Sequence, residues 1–353
     1  MASRKRQSLC KHARDFEEKE VEQWDAFVAS HGRGTLYHQL EWGRLIERVF
    51  GHQTHYWMHT GDDGELTGVL PLVEIRSRLF GTYQISLPFF NYGGALGTES
   101  RIEADLMKQA WTCAKKMGVG HIEFRDTVVR HADYPVRKDK VAMLRELPPD
   151  PDQLWRELGG KVRSQVRRPI REGATFVCGG RERIDDFYSV FARNMRDLGT
   201  PVYPKRFFVE MLQTFPDRAS IGVVHVDKKP VAAAILLLDK ETMEIPWASS
   251  LREYNRLGVN MLLYWNALSE AISKGARTFD FGRSSYQSGT YRFKRQWGAV
   301  AKPLYWSYAL PEGGELPDLT PKNGKFKHAI ALWKRLPLSV ANQLGPRIVK
   351  NLP

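Results

Sequence analysis

Two stretches of the chain place apolar residues at helical spacing, and each stretch ends at a glycine. One runs from Ala104 to Met117 before Gly118, and the other runs from Met261 to Lys274 before Gly275. A glycine suits the left-handed conformation in which helices commonly end. We therefore predict one helix over each stretch.

A predicted strand follows each helix, and the two halves of the chain repeat one another. The strands are His121–Arg125 and Arg277–Phe281. A constant separation of 157 residues relates three pairs, which are Gly118 and Gly275, Glu123 and Asp280, and Phe124 and Phe281. Self-similarity at a fixed offset indicates a duplicated structural unit.

Upstream of each helix, short apolar runs separated by turn residues predict paired strands. Turns are predicted at Asp62–Gly64 and at Lys228–Pro230. The predicted strands are Leu66–Ile75, Tyr83–Pro88, Ser220–Val226, Val231–Leu238 and Met243–Ala248. Strands, a helix and a further strand, in that order, indicate an α/β fold with mixed sheets.

The length of 353 residues is enough for two domains. The proline-rich segment Leu147–Pro151 has the composition of a linker, and a helix is predicted to begin near Asp152. We expect a basic N-terminal extension, two related domains and a basic amphipathic tail. Their expected bounds are 1–20, 21–147, 148–310 and 311–353.

The net charge of +13 is concentrated in three segments that contain no acidic residue, leaving −4 for the rest of the chain. Each of these basic strips is a candidate for contact with an anion. The strips are residues 1–14, residues 161–171 and the tail from Thr320.

Several classes of protein lose support. The longest apolar run, Val231–Leu238, is too short to span a bilayer, and no secretory signal is present, so we expect a cytoplasmic protein. The cysteines, Cys10, Cys113 and Cys178, are widely spaced and are interpreted as reduced thiols.

The motifs of serine hydrolases, zinc proteases and P-loop ATPases do not occur. His52, His55 and His59 lack further ligands nearby, so no metal site is predicted.

The segment Ser288–Gly298 reads Ser-Gly-Thr-Tyr-Arg-Phe-Lys-Arg-Gln-Trp-Gly. It resembles the Tyr-x-Phe-Lys-x-x-Phe/Trp-Gly element of the Fem peptidyltransferases. Phe279–Ser284, Leu198–Lys205 and Ala331–Leu338 resemble FemAB-like proteins of exosortase (PEP-CTERM) and exopolysaccharide systems, and Gly68–Val73 resembles their first half. The resemblance implies tandem GNAT domains that transfer an acyl or aminoacyl group to an amine.

Fem relatives take the aminoacyl group from a charged tRNA and place it on a peptidoglycan precursor. The resemblance therefore implies an activated acyl donor, either aminoacyl-tRNA or acyl-CoA, and an amine-bearing envelope or glycan precursor as acceptor. No cofactor is certain. Two alternatives stay open, an acyl-CoA-dependent N-acyltransferase acting on an amino sugar and a non-catalytic scaffold for polysaccharide assembly.

The same resemblance assigns the oxyanion-stabilising role to Lys294 and places Phe293, with Tyr291, at the acyl pocket. Local sequence also allows Tyr291, Phe293 and Trp297 to be core aromatics beside a solvated basic turn. Asp280 is a candidate to hold or deprotonate the acceptor amine, because it lies near the end of a predicted strand. The alternative is an edge carboxylate paired with Arg283, a residue that is itself a substrate-binding candidate.

Other candidates lie outside this motif. The loop Asn255–Asn260 departs from the R/Q-x-x-G-x-G/A pattern of acyl-CoA-dependent relatives, which leaves coenzyme A open and makes Asn260 a substrate-binding candidate. Arg163 and Arg167 share a helical face before Pro169 and are candidates to bind tRNA or another polyphosphate, or form a solvated face. Tyr203 and Lys205 are candidates for the acceptor site.

The tail Phe326–Pro353 mixes aliphatic residues with lysine and arginine. That composition suits a weak anchor on an anionic inner-membrane surface, or a helix packed on the body of the protein, which we favour.

Overall fold

The computed structural model describes residues 7–78, 80–131, 133–317 and 327–352. Parts of the expected N-terminal extension (1–6) and of the tail (318–326) lie outside the described residues. Contacts divide the chain into two compact units. One holds the chain up to Lys140 with a later segment from Pro303, and the other holds Val141–Lys302 with the tail up to Val349.

The first unit is built on a mixed sheet with three α-helices in its described residues. Its strand order is β1-β2-β3-β4-β6-β15-β7, with β5 paired to β3. The strands are β1 Gln7–Lys11, β2 Gln53–Thr60, β3 Leu66–Ser77, β4 Gly81–Ser86, β5 Leu96–Gly97, β6 Ile122–Asp126, β7 Val136–Arg137 and β15 Tyr305–Ala309. The helices are α1 Glu18–Ser30, α2 Leu40–Phe50 and α3 Ser100–Lys116.

The second unit has a sheet of order β14-β8-β13-β12-β11-β10-β9. Its strands are β8 Lys140–Glu146, β9 Thr175–Gly179, β10 Ala219–Val226, β11 Lys229–Asp239, β12 Thr242–Ser250, β13 Thr278–Ser285 and β14 Val300–Pro303. The helices are α4 Pro151–Glu157, α5 Gly160–Arg171, α6 Ile184–Leu198, α7 Lys205–Thr214, α8 Val259–Ser273, α9 Gly289–Arg295, α10 Lys327–Trp333 and α11 Leu338–Val349.

The duplicated unit predicted from the sequence is present in both halves. Gly118 and Gly275 have positive φ angles of 75° and 79° and directly follow the C-caps of α3 and α8. The strands that follow, β6 and β13, each pair in parallel with an upstream strand. The equal spacing of residues therefore reflects equivalent positions in two related sheets.

Each half of the chain contributes one strand to the sheet of the other half. The strand β15 follows the second repeat in sequence, yet it pairs antiparallel with β6 of the first sheet. The strand β8 follows the first repeat, yet it lies beside β13 in the second sheet. The expected domain bounds, 21–147 and 148–310, stay a prediction. The strand β8 falls in the first of these ranges but belongs to the second sheet, and β15 falls in the second range but belongs to the first sheet.

One local prediction needs adjustment. The turn predicted at Lys228–Pro230 lies one residue earlier, because Asp227 and Lys228 adopt left-handed φ angles of 50° and 62° and β11 begins at Lys229. The helix that carries Arg163 and Arg167 contains Pro169 in its last turn and ends at Arg171.

Among the described residues, no helix combines the length and the apolar character that crossing a bilayer requires.

Candidate active site

Two buried carboxylates lie side by side in the interior of the second sheet. Glu244 on β12 is in register with Asp280 on β13, and both side chains are buried. Because β13 lies between β12 and β8, Asp280 is not on an edge strand. Carboxylates in such a position are costly unless a cation or hydrogen-bond donors accompany them.

Lys294 supplies that cation. It lies on the short helix α9, whose first turn is capped by the Ser288 hydroxyl, which accepts a hydrogen bond from the amide of Tyr291. The Lys294 side chain is buried, with 7% exposed. Burial lowers the pKa of Lys294 to about 8, although the nearby Asp280 and Glu244 carboxylates act to raise it.

The ammonium group of Lys294 is held by the backbone of the neighbouring strand. Nζ donates to the carbonyl of Gly282 at 3.0 Å and to that of Arg283 at 2.9 Å. An ammonium group has three N–H donors, so among the described residues these two carbonyl contacts leave one donor of Lys294 unassigned. A fixed cation with a spare donor is the element that stabilises a developing oxyanion.

The backbone around Gly282 is shaped to present these carbonyls. Gly282 has a φ of 73°, a left-handed conformation that glycine adopts without strain. Its amide donates to Oδ1 of Asp280 at 2.7 Å. Asp280 therefore also fixes the strand segment that anchors Lys294.

An aromatic cluster adjoins this segment on the side of α8. The Tyr264 ring stacks on Phe281 with centroids 5.8 Å apart and meets Phe293 edge-on at 5.0 Å. Trp297 is fully buried and stacks on Tyr264 at 6.2 Å. Tyr291 packs on the same core. These contacts fit the alternative in which Tyr291, Phe293 and Trp297 are core aromatics. That alternative also placed Lys294 on a solvated turn, and on this point it differs from the structure, in which Lys294 is buried.

The remaining candidates lie in other settings. Arg283 is exposed, and its carbonyl contacts Lys294. Asn260 is half-buried in the first turn of α8. The Tyr203 ring packs against Phe207 and Trp247, and Lys205 forms a surface ion pair with Asp185. The role of Tyr203 and Lys205 at an acceptor site stays a prediction.

The arginines of α5 lie on its accessible side. Arg163 is half-buried, and Arg167 is exposed with its guanidinium 5.2 Å from the centre of the Trp155 ring. The same helix packs against α8. Gly258, the N-cap of α8 with a φ of 88°, lies so close to α5 that an added Cβ would be 3.1 Å from the carbonyl of Gln165.

Sequence reasoning missed two polar residues near Lys294. Glu244 stands within the otherwise apolar predicted strand Met243–Ala248, and a charged residue in such a run was the available signal. Ser284 lies two residues beyond Gly282, and its buried hydroxyl has no hydrogen-bond partner among the described residues. Nothing in the local pattern distinguishes that serine from an ordinary strand residue.

The equivalent position of the first unit is neutralised internally. Glu123 corresponds to Asp280, and it accepts hydrogen bonds of 2.7 Å from Arg125 Nε and from the Tyr308 hydroxyl. The pKa of Glu123 is lowered by these partners in spite of burial. Glu123 therefore pairs with the neighbouring Arg125 of its own strand.

The histidines of the first unit make separate contacts. His52 stacks on Phe50, His55 Nε2 lies 3.1 Å from a carboxylate oxygen of Glu74, and His59 Nδ1 lies 2.7 Å from the hydroxyl of Thr67.

Comparison with known proteins agrees with this architecture. Residues 160–295 match the model of the acetyltransferase (GNAT) domain. FemX superposes with a TM-score of 0.60 at 16% identity, over 81% of this chain and 95% of that chain. A tandem GNAT protein from the clavulanic acid biosynthesis pathway superposes with a TM-score of 0.56 at 11% identity, over 89% and 100% of the two chains.

The fold is a tandem GNAT-like α/β fold. L-PGS from Bacillus licheniformis has it as well, with a TM-score of 0.55 at 16% identity over 91% of this chain and 98% of that chain. No curated protein shows significant similarity to the sequence. At these identities the solved structures establish the GNAT-like fold alone. The GNAT match contains α8, β13 and α9, and hence Asp280 and Lys294.

Proposed function

We propose that the second unit transfers an acyl or aminoacyl group from an activated ester or thioester to an amine, with Lys294 as the oxyanion stabiliser. The observation that carries this proposal is the buried Lys294 ammonium, anchored by two backbone carbonyls with one donor to spare. The GNAT match over residues 160–295 supports the reaction class.

The reaction needs few groups on the protein. The neutral amine attacks the carbonyl carbon and the carbonyl oxygen becomes negative. The C–O or C–S bond to the donor then breaks as the amide forms, and the donor leaves as an alkoxide or thiolate that takes up a proton. The spare N–H of Lys294 would meet the negative carbonyl oxygen, and the proton lost by the amine would pass to Asp280 or to water. Phe293 and Tyr291 are proposed to line the acyl pocket.

The donor class follows from resemblance to the Fem proteins rather than from geometry. It favours aminoacyl-tRNA as donor, with the basic face that carries Arg163 and Arg167 as the contact for the nucleic acid, and an envelope or glycan amine as acceptor. A cytoplasmic location and a link to exosortase-associated exopolysaccharide systems belong to the same proposal. Tyr203, Lys205, Arg283 and Asn260 keep their proposed substrate-binding roles.

An acyl-CoA donor is the second candidate. It is favoured by the acetyltransferase description of the matching domain and by the N-terminus of α8 at Gly258. Calorimetry with acetyl-CoA, a longer acyl-CoA and charged tRNA separates the donors, because only the true donor class gives saturable heat. Arg163→Ala with Arg167→Ala should weaken binding of tRNA and leave that of acyl-CoA unchanged.

The central test is Lys294→Met, assayed by mass spectrometry for amide formation with the donor that binds. Loss of an oxyanion donor typically costs about 10²–10³ in rate, so we expect a loss of that size with donor affinity retained. The control is Arg295→Met, which removes an exposed cation from the same helix turn. Wild-type turnover by the Lys294 variant would refute the catalytic role of this lysine, whereas no turnover by the wild type with any donor would favour a non-catalytic scaffold.

The pH profile provides an independent signature. Lys294 acts as the protonated ammonium, and its pKa is about 8, so kcat/KM should fall as the pH rises through that value. Lys294→Arg stays charged, so any activity that it retains should lack this decline. An undiminished wild-type rate well above pH 8 would contradict the assignment.

A further inference from the structure

The tail of the chain presents an exposed apolar stripe on a helix that is already docked on the protein. The helix α11 buries Ala341, Gly345 and Val349. Gly345 approaches the chain at Val202 so closely that a Cβ there would lie 2.8 Å from its backbone nitrogen. The side chains Val340, Leu344 and Ile348 recur every four residues and are 36%, 39% and 38% exposed.

The stripe lies beside the buried face, about 100° around the helix axis. The preceding helix α10 adds Leu332, which is 66% exposed. The α10 segment is also docked, since an added Cβ at Gly199 would lie 2.5 Å from the Ile330 side chain and Arg196 donates to the carbonyl of Leu336 at 2.9 Å. Both helices therefore hold their apolar side chains in a fixed position at the surface.

The charge of this region points to the occupant. From Lys327 to the end of the chain there are five lysine or arginine residues and no aspartate or glutamate. Lys334 and Arg335, between the two helices, are exposed. Aliphatic side chains on a segment whose charged residues are all cationic complement an anionic lipid surface, where the hydrocarbon enters the interface and the cations meet headgroup phosphates. A second copy of the same basic surface would be repelled.

We propose that Leu332, Val340, Leu344 and Ile348, with the flanking cations, form a docking surface for an anionic membrane. This surface, the tail stripe, holds the second unit at the lipid interface without a spanning segment. The proposal does not depend on acyl transfer, because binding is measured without a substrate. It sharpens the two expectations for the tail, since one helix both packs on the protein and presents a membrane-facing stripe.

The test is flotation of the full-length protein with phosphatidylglycerol-containing vesicles and with pure phosphatidylcholine vesicles. We expect binding to the anionic vesicles only, weakened by salt. The triple variant Val340→Ser, Leu344→Ser and Ile348→Ser should lower the partition coefficient at least tenfold, on the order expected from removing three aliphatic side chains. The pair Lys334→Gln and Arg335→Gln should lower it roughly fivefold per charge.

The matched control is Ile170→Ser, which removes an exposed aliphatic side chain beside the basic residues of α5. It should bind like the wild type. Circular dichroism and thermal unfolding verify that every variant is folded. Equal flotation of the wild type and the triple variant, or binding lost in the Ile170 control instead, would overturn the proposal. So would a wild-type dimer that ignores vesicles and dissociates in the triple variant.

Discussion

At the scale of single residues, the buried Lys294 is the feature from which most of the site chemistry derives. A buried ammonium group loses hydration, and only the nearby carboxylates and backbone carbonyls compensate. Its lowered pKa and its anchored geometry have the same origin, because both come from enclosure between α9 and β13. The pKa of Lys294 can therefore be measured without knowledge of the substrate.

The pKa of Lys294 predicts how stability changes with pH. The folded-state value is about 8 and the reference value is 10.5, so between them the unfolded chain binds more protons. The unfolding free energy of the wild type should rise with pH in that window, by up to about 1.4 kcal/mol per pH unit, relative to Lys294→Met. Urea unfolding at several pH values measures this pH dependence of the unfolding free energy, with Arg295→Met as the control. Parallel curves for wild type and Lys294→Met would contradict the prediction.

Gly282 gives a second prediction at this scale. Its φ of 73° is unfavourable for other residues, so Gly282→Ala should cost about 1–2 kcal/mol of stability and shift the carbonyl that holds Lys294. Activity should fall along with stability. Gly289→Ala is the matched control, since a Cβ there meets open space at the start of α9. A Gly282 variant as stable and active as the control would show that this turn does not position the lysine.

At the scale of secondary structure, the exchanged strand β15 contributes a hydrogen bond to the first sheet. The Tyr308 hydroxyl donates to the buried Glu123 carboxylate at 2.7 Å. Tyr308→Phe should destabilise the protein by about 1–3 kcal/mol, because a buried carboxylate oxygen loses that donor. Chemical denaturation measures the change. Activity should be unaffected if catalysis belongs to the second unit.

The control on the same strand is Tyr305→Phe, since Tyr305 is only half-buried and its ring lies near the Lys138 ammonium. This substitution should change stability by less than about 0.5 kcal/mol. Equal effects from the two tyrosines would mean that the Glu123 contact contributes nothing specific.

At the scale of the whole molecule, the exchange of strands makes each sheet depend on the other half of the chain. A fragment 1–147 lacks β15, and a fragment 148–353 lacks β8, which leaves β6 or β13 without one neighbouring strand. Unpaired backbone groups and exposed apolar side chains favour aggregation. We expect neither fragment to fold alone and co-expression to restore a soluble complex, as judged by circular dichroism and size-exclusion chromatography.

Truncation after Leu310 is the control for the fragment experiment. It retains every strand of both sheets and removes only the segment beyond β15. The truncated protein should keep a cooperative unfolding transition. A stably folded, monomeric fragment 1–147 would show that the exchanged strand is dispensable.

The sequence by itself determined the elements whose pattern is local. Apolar periodicity and two glycines located α3 and α8, and their equal spacing from Glu123 and Asp280 identified the duplication. Helical period and the need for a left-handed residue at a helix end act over a few residues, so they are visible without the fold. Resemblance to the Fem proteins pointed to Lys294.

Only the tertiary structure decided which strands share a sheet and which polar groups meet. The exchange of β8 and β15, the contact of Lys294 with the Gly282 carbonyl, and the register of Glu244 with Asp280 join positions on different helices and strands. Strand pairing over long separations is set by how each sheet buries its apolar face under the helices that cover it, a condition that involves residues far apart in the chain. Burial, and hence the pKa of Lys294, follows from the same global packing.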